Sequence, residues 1–144
     1  MNQNQEKSFA AKHPSATRID PNIQAAVAKR VEGGEIPCAV AFDIVARLAV
    51  TPQALGRTID LLNLRLSKCQ LGLFGYQPHK KIVKPTEKVD PQVEAAIRAA
   101  LVDDALPCQQ AWEIATHHGL RKMAVSSICE ALSIKIKPCQ LGAF

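Results

Sequence analysis

The chain has 144 residues, of which 47% are hydrophobic and 22% charged, and its formal net charge is +5. This composition is ordinary for a folded globular protein, and no apolar run reaches the roughly 20 residues that a membrane-spanning helix needs. The polar start of the sequence lacks the apolar core of a secretory signal, so we expect a cytoplasmic protein that does not enter membranes.

Residues 20–74 recur as residues 90–144 without insertion or deletion, which indicates a tandem duplication. The register of the repeat is fixed by three matches: Asp20-Pro21 with Asp90-Pro91, Pro37-Cys38 with Pro107-Cys108, and the Cys-Gln-Leu-Gly strings at 69–72 and 139–142. We therefore divide the chain into a flexible basic tail (1–19), a first repeat (20–74), a basic linker (75–89) and a second repeat (90–144).

Positive charge is concentrated outside the repeats. The tail and the linker carry net charges of +2 and +3, whereas the first and second repeats carry +1 and −1. The linker gathers Lys80, Lys81, Lys84 and Lys88 around two prolines. Such a segment suits a polyanion, and a solvated tether between the repeats is the other interpretation.

The first repeat should open with an amphipathic helix, because Ile23, Val27 and Val31 recur every four residues after the capping pair Asp20-Pro21. The two glycines at 33–34 should end this helix. A second helix is expected from Pro37 to about Leu48, and a third from the cap at Thr51-Pro52. The second repeat predicts equivalent helices, the middle one from Pro107 to about His118.

The end of the second helix and the start of the third have a distinctive spacing. In the second repeat, Ala115 is followed by Gly119 four residues later, by Val125 six residues beyond it and by Ile128 three further on. This spacing resembles the helix-turn-helix family, in which a small residue lets two helices approach, a glycine permits the turn and the later apolar residues face the core. The first repeat matches this pattern with Val45, Ala49, Leu55 and Thr58.

After the third helix, residues 64–66 and 134–136 alternate apolar and basic side chains, as a half-buried strand does. We expect a kink or bulge where the alternation slips, at 67–68 and 137–138. If the two short strands pair with each other, the repeats form a pseudo-two-fold pair. The predicted fold is mainly α, with two tandem three-helix helix-turn-helix units of winged-helix-like type, each followed by a short β-strand.

The resemblance implies binding to double-stranded DNA by a transcriptional regulator, with the third helix of each repeat in the major groove. The residues carried over as exposed near the start of that helix are Thr51, Pro52, Gln53 and Arg57 in the first repeat, and Arg121, Lys122, Met123 and Ser127 in the second. Arg57 and Arg121 would pair with guanine, and Gln53 with adenine. The candidate phosphate contacts are Arg65, Lys68, Lys135 and Lys137.

The near-neutral charge of the two repeats argues against this function, because DNA-binding domains present a basic face. The first alternative is a protein-interaction or accessory module with the same fold, which would dock through its strand and its Cys-Gln-Leu-Gly segment. The second is a cysteine-based redox or metal sensor. A homodimer is compatible with each of these functions. We expect no enzyme, because no Ser/His/Asp grouping, paired-carboxylate motif or phosphate-binding glycine loop is present.

Four cysteines occupy equivalent places in the two repeats, namely Cys38, Cys69, Cys108 and Cys139, and Cys129 has no counterpart. Thiols can bind metal or close a redox-sensing disulfide, so these two functions stay open as alternatives. However, no two of the cysteines have the short spacing of a zinc knuckle, and cysteine is also a small, readily buried hydrophobe. We expect core thiols, with no bound metal or cofactor.

The Cys-Gln-Leu-Gly strings are each followed by a phenylalanine two residues later, Phe74 or Phe144. The expected structure is a backbone bend at Gly72 and at Gly142, closed by a buried aromatic ring. A docking surface is the functional alternative for this segment.

Overall fold

The computed structural model describes residues 9–14 and 17–144. The chain divides into two compact units, Met1–Ser67 and Lys68–Phe144. Within the described residues the regular structure is six α-helices, one 3₁₀ turn and a two-stranded parallel sheet, so the protein is mainly helical, as predicted. Residues 1–8, 15 and 16 of the predicted tail lie outside the described residues.

The first unit contains α1, which spans Pro21–Ala28. Asp20 caps this helix, because its carboxylate accepts the N–H of Ile23 at 3.3 Å. Ile23 and Val27 are buried, which confirms the predicted apolar face. The helix ends earlier than expected, and the glycines at 33–34 lie in the following turn with left-handed φ angles of 57° and 75°.

The first unit also contains a small parallel sheet. Its strands are β1, Glu35–Pro37, and β2, Arg65–Ser67, with Ile36 opposite Leu66. The strand β2 was predicted, whereas β1 was not. In the sheet, β2 pairs with β1. The expected pairing of β2 with residues 134–136 stays a prediction. The pseudo-two-fold arrangement of the repeats stays a prediction.

The second and third helices of the first unit form a sharply bent pair. They are α2, Cys38–Leu48, and α3, Pro52–Leu61, and the bend between them is 120°. Ala49 makes the turn in the left-handed conformation, with φ 50° and ψ 42°. The hydroxyl of Thr51 accepts the N–H of Ala54 at 3.0 Å, which confirms the predicted cap of α3.

The second unit repeats this order of three helices, which are α4 (Pro91–Ala99), α5 (Cys108–His117) and α6 (Lys122–Ala131). Gly119 makes the turn between α5 and α6 with a φ of 66°. A single parallel bridge joins Leu106 to Ile136, so the strand predicted at residues 134–136 is reduced to one bridging residue. Asp103 and Asp104 adopt the left-handed φ angles that two glycines provide in the first unit.

The segment that follows β2 belongs to the second unit. Cys69 and Leu71, from the Cys-Gln-Leu-Gly string of the first repeat, are buried in the same core cluster as Ile97 and Leu106. Val83, in the predicted linker, is also buried. The boundary between the compact units therefore falls inside the first sequence repeat, and a solvated tether does not describe this part of the linker.

The Cys-Gln-Leu-Gly strings bend at their glycines, as predicted. Gly72 and Gly142 have φ angles of 74° and 80°, and each donates its N–H to the carbonyl of the cysteine three residues earlier, at 2.9 and 3.1 Å. The rings of Phe74 and Phe144 meet edge to face with their centroids 5.7 Å apart. Phe144 is 40% exposed, so the expectation of a buried aromatic plug is wrong there.

No single helix of the described residues is long and apolar enough to cross a membrane. The bent pair of α2 and α3 reaches the necessary length and apolarity only when its two helices are taken together.

Candidate nucleic-acid interface

The third helix of the first unit, α3, exposes two of the predicted base-contacting side chains. Gln53 and Arg57 lie one helical turn apart, so they share a face, and both are exposed. Thr51 is exposed as well, but its hydroxyl oxygen is occupied as the helix cap. Gln53 and Arg57 therefore present an amide and a guanidinium on one helical stripe, and the hydroxyl of Thr51 keeps its hydrogen for donation.

The equivalent helix of the second unit, α6, begins differently. Arg121 is exposed at the position before the helix, and it provides no side-chain cap. The ammonium of Lys122 lies over the ring of Trp112, 4.7 Å from the ring centroid, which is a cation–π contact between α6 and α5. Lys122 is therefore partly engaged in holding the two helices together.

The outer face of α6 is covered by the chain that precedes α4. Ser127 donates its hydroxyl hydrogen to the carbonyl of Lys84 at 2.5 Å, and its own carbonyl accepts the N–H of Thr86 at 3.1 Å. The ammonium of Lys81 lies 2.6 Å from the carboxylate of Glu130. We call residues 80–88 the second arm, because this segment lies along α6.

Met123 and Val83 of the second arm both lie close to Gly72. A Cβ atom built at Gly72 would lie 3.1 Å from the sulfur of Met123 and 3.1 Å from Cβ of Val83, which is tight, and Gly72 has a left-handed φ of 74° that favours glycine. Met123 and Ser127 are the counterparts of Gln53 and Arg57 in the repeat. The face that is exposed on α3 is therefore occupied by polypeptide on α6.

The first unit has a shorter covering segment, which we call the first arm (residues 9–13). The ammonium of Lys12 and the imidazole Nε2 of His13 lie 3.1 and 2.8 Å from the same carboxylate oxygen of Asp60, whose side chain is only 8% exposed. The N–H of Ala10 donates to the side-chain oxygen of Asn63 at 3.2 Å. The first arm thus contacts the C-terminal half of α3 and the residues beyond it.

Both arms are anchored to an acidic residue at the same repeat position, because Asp60 and Glu130 are 70 residues apart. The sequence pattern predicts neither these two residues as anchors nor the ion pairs that they form. A signal was present: Pro14 and Arg18-Ile19 precede the first repeat much as Pro85 and Lys88-Val89 precede the second. The number of residues between the proline and the basic residue differs by one in the two segments, so an alignment without gaps does not match them.

The four predicted phosphate contacts, Arg65, Lys68, Lys135 and Lys137, are all exposed. Main-chain hydrogen bonds hold two of them in place, because Arg65 N–H donates to Gly34 and Lys137 N–H donates to Leu106, both at 2.9 Å. Lys68 has a φ of 47°, which confirms the predicted kink after β2. Lys135 and Lys137 lie two residues apart on an extended segment, so their side chains point to the same side.

The cysteines behave as core residues. Cys38, Cys69, Cys108 and Cys129 are buried, Cys139 is partly exposed, and no disulfide joins any of the five. Burial raises the pKa of Cys69 and of Cys108, and it raises the pKa of Cys129 to about 11. The described residues contain no group of three or more His, Cys, Asp or Glu side chains that could hold a metal ion.

Comparisons with protein-family models, with curated proteins and with solved structures find no match to this chain. Its function is therefore inferred from the geometry and charge of its own surfaces.

Proposed function

We propose that this chain is a double-stranded DNA-binding protein, a transcriptional regulator built from two tandem helix-turn-helix units. The observation that carries the proposal is the geometry of α2 and α3. These helices are bent by 120° at a three-residue turn, and Ala49 in that turn is left-handed. A pair of helices crossing near 90–120° at such a turn is the arrangement that places a second helix in the major groove.

The exposed stripe on α3 supports the proposal chemically. An arginine side chain makes two hydrogen bonds to the major-groove edge of guanine, and a glutamine makes two to adenine. Arg57 and Gln53 are both exposed on that stripe. The core of the unit lies on the opposite side of α3, where Leu55 and Ile59 are buried.

The first and second arms weaken the argument that the two units are too close to neutral to bind DNA. When the chain is divided as the structure divides it, the first unit has eight Lys and Arg residues against six Asp and Glu, and the second has ten against seven. Each unit is therefore net positive. The arms also place cations beside Asp60 and Glu130, the acidic residues on α3 and α6 that would otherwise repel phosphate.

A protein-interaction module is the second candidate, and one observation favours it. The face of α6 around Met123 and Ser127 already binds an extended stretch of polypeptide, namely the second arm. A surface that accepts main-chain hydrogen bonds from its own chain has the chemistry to accept a peptide from another protein. The raised pKa values of Cys69, Cys108 and Cys129 argue against these three thiols as redox sensors that depend on a reactive thiolate.

The test is a fluorescence anisotropy titration of mixed-sequence duplex DNA at several salt concentrations. We expect binding that weakens steeply with salt, because lysine and arginine contacts release counterions from the phosphates. Arg57→Ala should weaken binding by about 1–3 kcal/mol for a preferred sequence. Arg98→Ala is the matched control, since it removes an equal charge from α4, where Arg98 pairs with Glu94.

Two results would contradict the proposal. The first is an absence of duplex binding at low salt. The second is binding that Arg98→Ala weakens as much as Arg57→Ala, because the binding would then follow net charge and not the exposed face of α3. Capture of a peptide by a chain that ignores DNA would favour the protein-interaction module instead.

A further inference from the structure

The two arms cover different lengths of the helices on which they lie. The first arm reaches Asp60 and Asn63, near the C-terminal end of α3, and leaves Gln53 and Arg57 exposed. The second arm and the adjoining Gly72 follow α6 through Met123, Ser127 and Glu130, which are spaced along one side of the helix. Only the first of these two faces is open to a nucleobase.

We propose that the two units divide their tasks on DNA: α3 reads bases through Gln53 and Arg57, whereas the second arm binds the phosphate backbone through Lys84 and Lys88. This inference rests on the proposed function. It assigns a sequence-independent role to the residues that appear in the sequence as a linker.

On the face of α6 that corresponds to Gln53 and Arg57, the second unit lacks the side chains for base recognition. At the position of Gln53 it has Met123, which offers no hydrogen-bond donor and lies beside Gly72. At the position of Arg57 it has Ser127, whose hydroxyl is bonded to the carbonyl of Lys84. Neither side chain can make the paired hydrogen bonds that distinguish one base pair from another.

The second arm has the properties of a phosphate-binding element. Its main chain is held on α6 by two hydrogen bonds to Ser127 and by the ion pair between Lys81 and Glu130. Lys84 and Lys88 are exposed on this anchored backbone. An anchored lysine loses less conformational entropy on binding than one in a mobile tail, and contacts to phosphate position a protein without reading sequence.

The experiment begins with selection of a preferred duplex from a random-sequence library by the full-length chain. Anisotropy titrations at several salt concentrations then compare this duplex with a scrambled one of equal length. The variants are Arg57→Ala, Lys84→Ala, Lys88→Ala and Ser127→Ala. Circular dichroism confirms that each variant has the helical content of the parent chain.

Arg57→Ala should reduce the preference for the selected duplex by about 5- to 150-fold. Lys84→Ala and Lys88→Ala should weaken binding to both duplexes by the same factor. Each should also make the slope of log K against log salt concentration shallower by about 0.9. Ser127→Ala should leave the preference for the selected duplex unchanged.

Three outcomes would overturn this inference and leave DNA binding intact. The first is salt-dependent binding without any enriched sequence, and the second is a change in sequence preference in Lys84→Ala or Ser127→Ala. The third is a slope of log K against log salt concentration that is unchanged in both lysine variants. Tighter binding by Ser127→Ala would also overturn it, because the second arm would then block α6 from DNA. If the parent chain binds no duplex at any salt concentration, the proposed function itself fails.

Discussion

The third helices of the two units, α3 and α6, begin and end at equivalent positions of the repeat, yet different neighbours cover them. The face of α3 that carries Gln53 and Arg57 is exposed, whereas the same face of α6 lies under the second arm. The positions of the turns and most apolar positions are shared by the two repeats, while the outward residues and the cap of the third helix differ. In this chain the two repeats are therefore more alike in their helices and turns than in the surfaces that those helices present.

The largest expected effect concerns the dependence of the second unit on residues of the first repeat. Leu71 is fully buried in the core of the second unit, so Leu71→Ala should destabilise that unit by about 2–5 kcal/mol. Leu73, which is only partly buried against the same core, provides the control Leu73→Ala with a smaller loss. Hydrogen exchange of the amides of α4, α5 and α6 measures both effects. Equal protection in the two variants would contradict the assignment of Leu71 to this core.

A second test compares the anchors of the two arms. The carboxylate of Asp60 is 8% exposed and has two basic partners, whereas Glu130 is 25% exposed and its partner Lys81 is 50% exposed. Asp60→Ala should therefore lower the free energy of unfolding by about 1.5–3 kcal/mol, and Glu130→Ala should lower it by about 0.2–1 kcal/mol. Urea denaturation followed by circular dichroism gives both values. A larger loss for Glu130→Ala would reverse the ranking.

The two turns allow a reciprocal exchange of residues. Ala49 is held in the left-handed conformation, where a Cβ atom destabilises the fold by about 1–2 kcal/mol. Glycine removes this strain but adds entropy to the unfolded chain, so Ala49→Gly should raise the free energy of unfolding by about 0.5–1 kcal/mol. Gly119→Ala should destabilise by about 1–2 kcal/mol. A Cβ atom at Gly119 would meet no other atom within 4 Å, so the loss reports backbone conformation alone. Thermal denaturation measures both variants, and a loss of stability in Ala49→Gly would contradict the argument.

The smallest expected effect concerns the thiols. Cys129 should be the slowest cysteine to react with iodoacetamide at pH 8, because its pKa of about 11 keeps it protonated, and the partly exposed Cys139 should be the fastest. The pKa of Cys129 is raised above its ordinary value of 9.0, so its contribution to stability is present below pH 9 and is lost between pH 9 and about pH 11.

Mass spectrometry after timed alkylation orders the five thiols, and alkylation in urea provides the control in which burial no longer protects them. The urea midpoint of the native chain should fall as the pH rises from 9 to 11. Alkylation of Cys129 as fast as that of Cys139 at pH 8 would contradict the buried position of Cys129.

The helices and their turns could be predicted from sequence because local signals mark them. Asp20-Pro21 and Thr51-Pro52 each combine a capping side chain with a proline in the first turn, and Gly119 marks the bend between α5 and α6. The Ala49 turn has no glycine, and it was found only because the repeat aligns it with Gly119. The alignment of the two repeats therefore predicts a turn at Ala49 that the first repeat alone does not indicate.

The features that sequence analysis missed depend on contacts between distant residues. The strand β1 has only three residues and ends in Pro37, so no alternation marks it, and it forms because β2 lies beside it. The arms have no periodic pattern of their own, and their positions depend on Asp60, Ser127 and Glu130. The burial of Leu71 in the second unit could not be predicted, because the repeat pattern assigns this residue to the first.

The contact between Lys122 and Trp112 makes this tryptophan an intrinsic fluorescence reporter for the start of α6. Trp112 is the single tryptophan of the chain, and the ammonium of Lys122 rests on its ring at the start of α6. The emission of an indole responds to a nearby charge, so any ligand that draws this ammonium away will alter the intrinsic fluorescence. An event at the start of α6 can thus be observed without a dye.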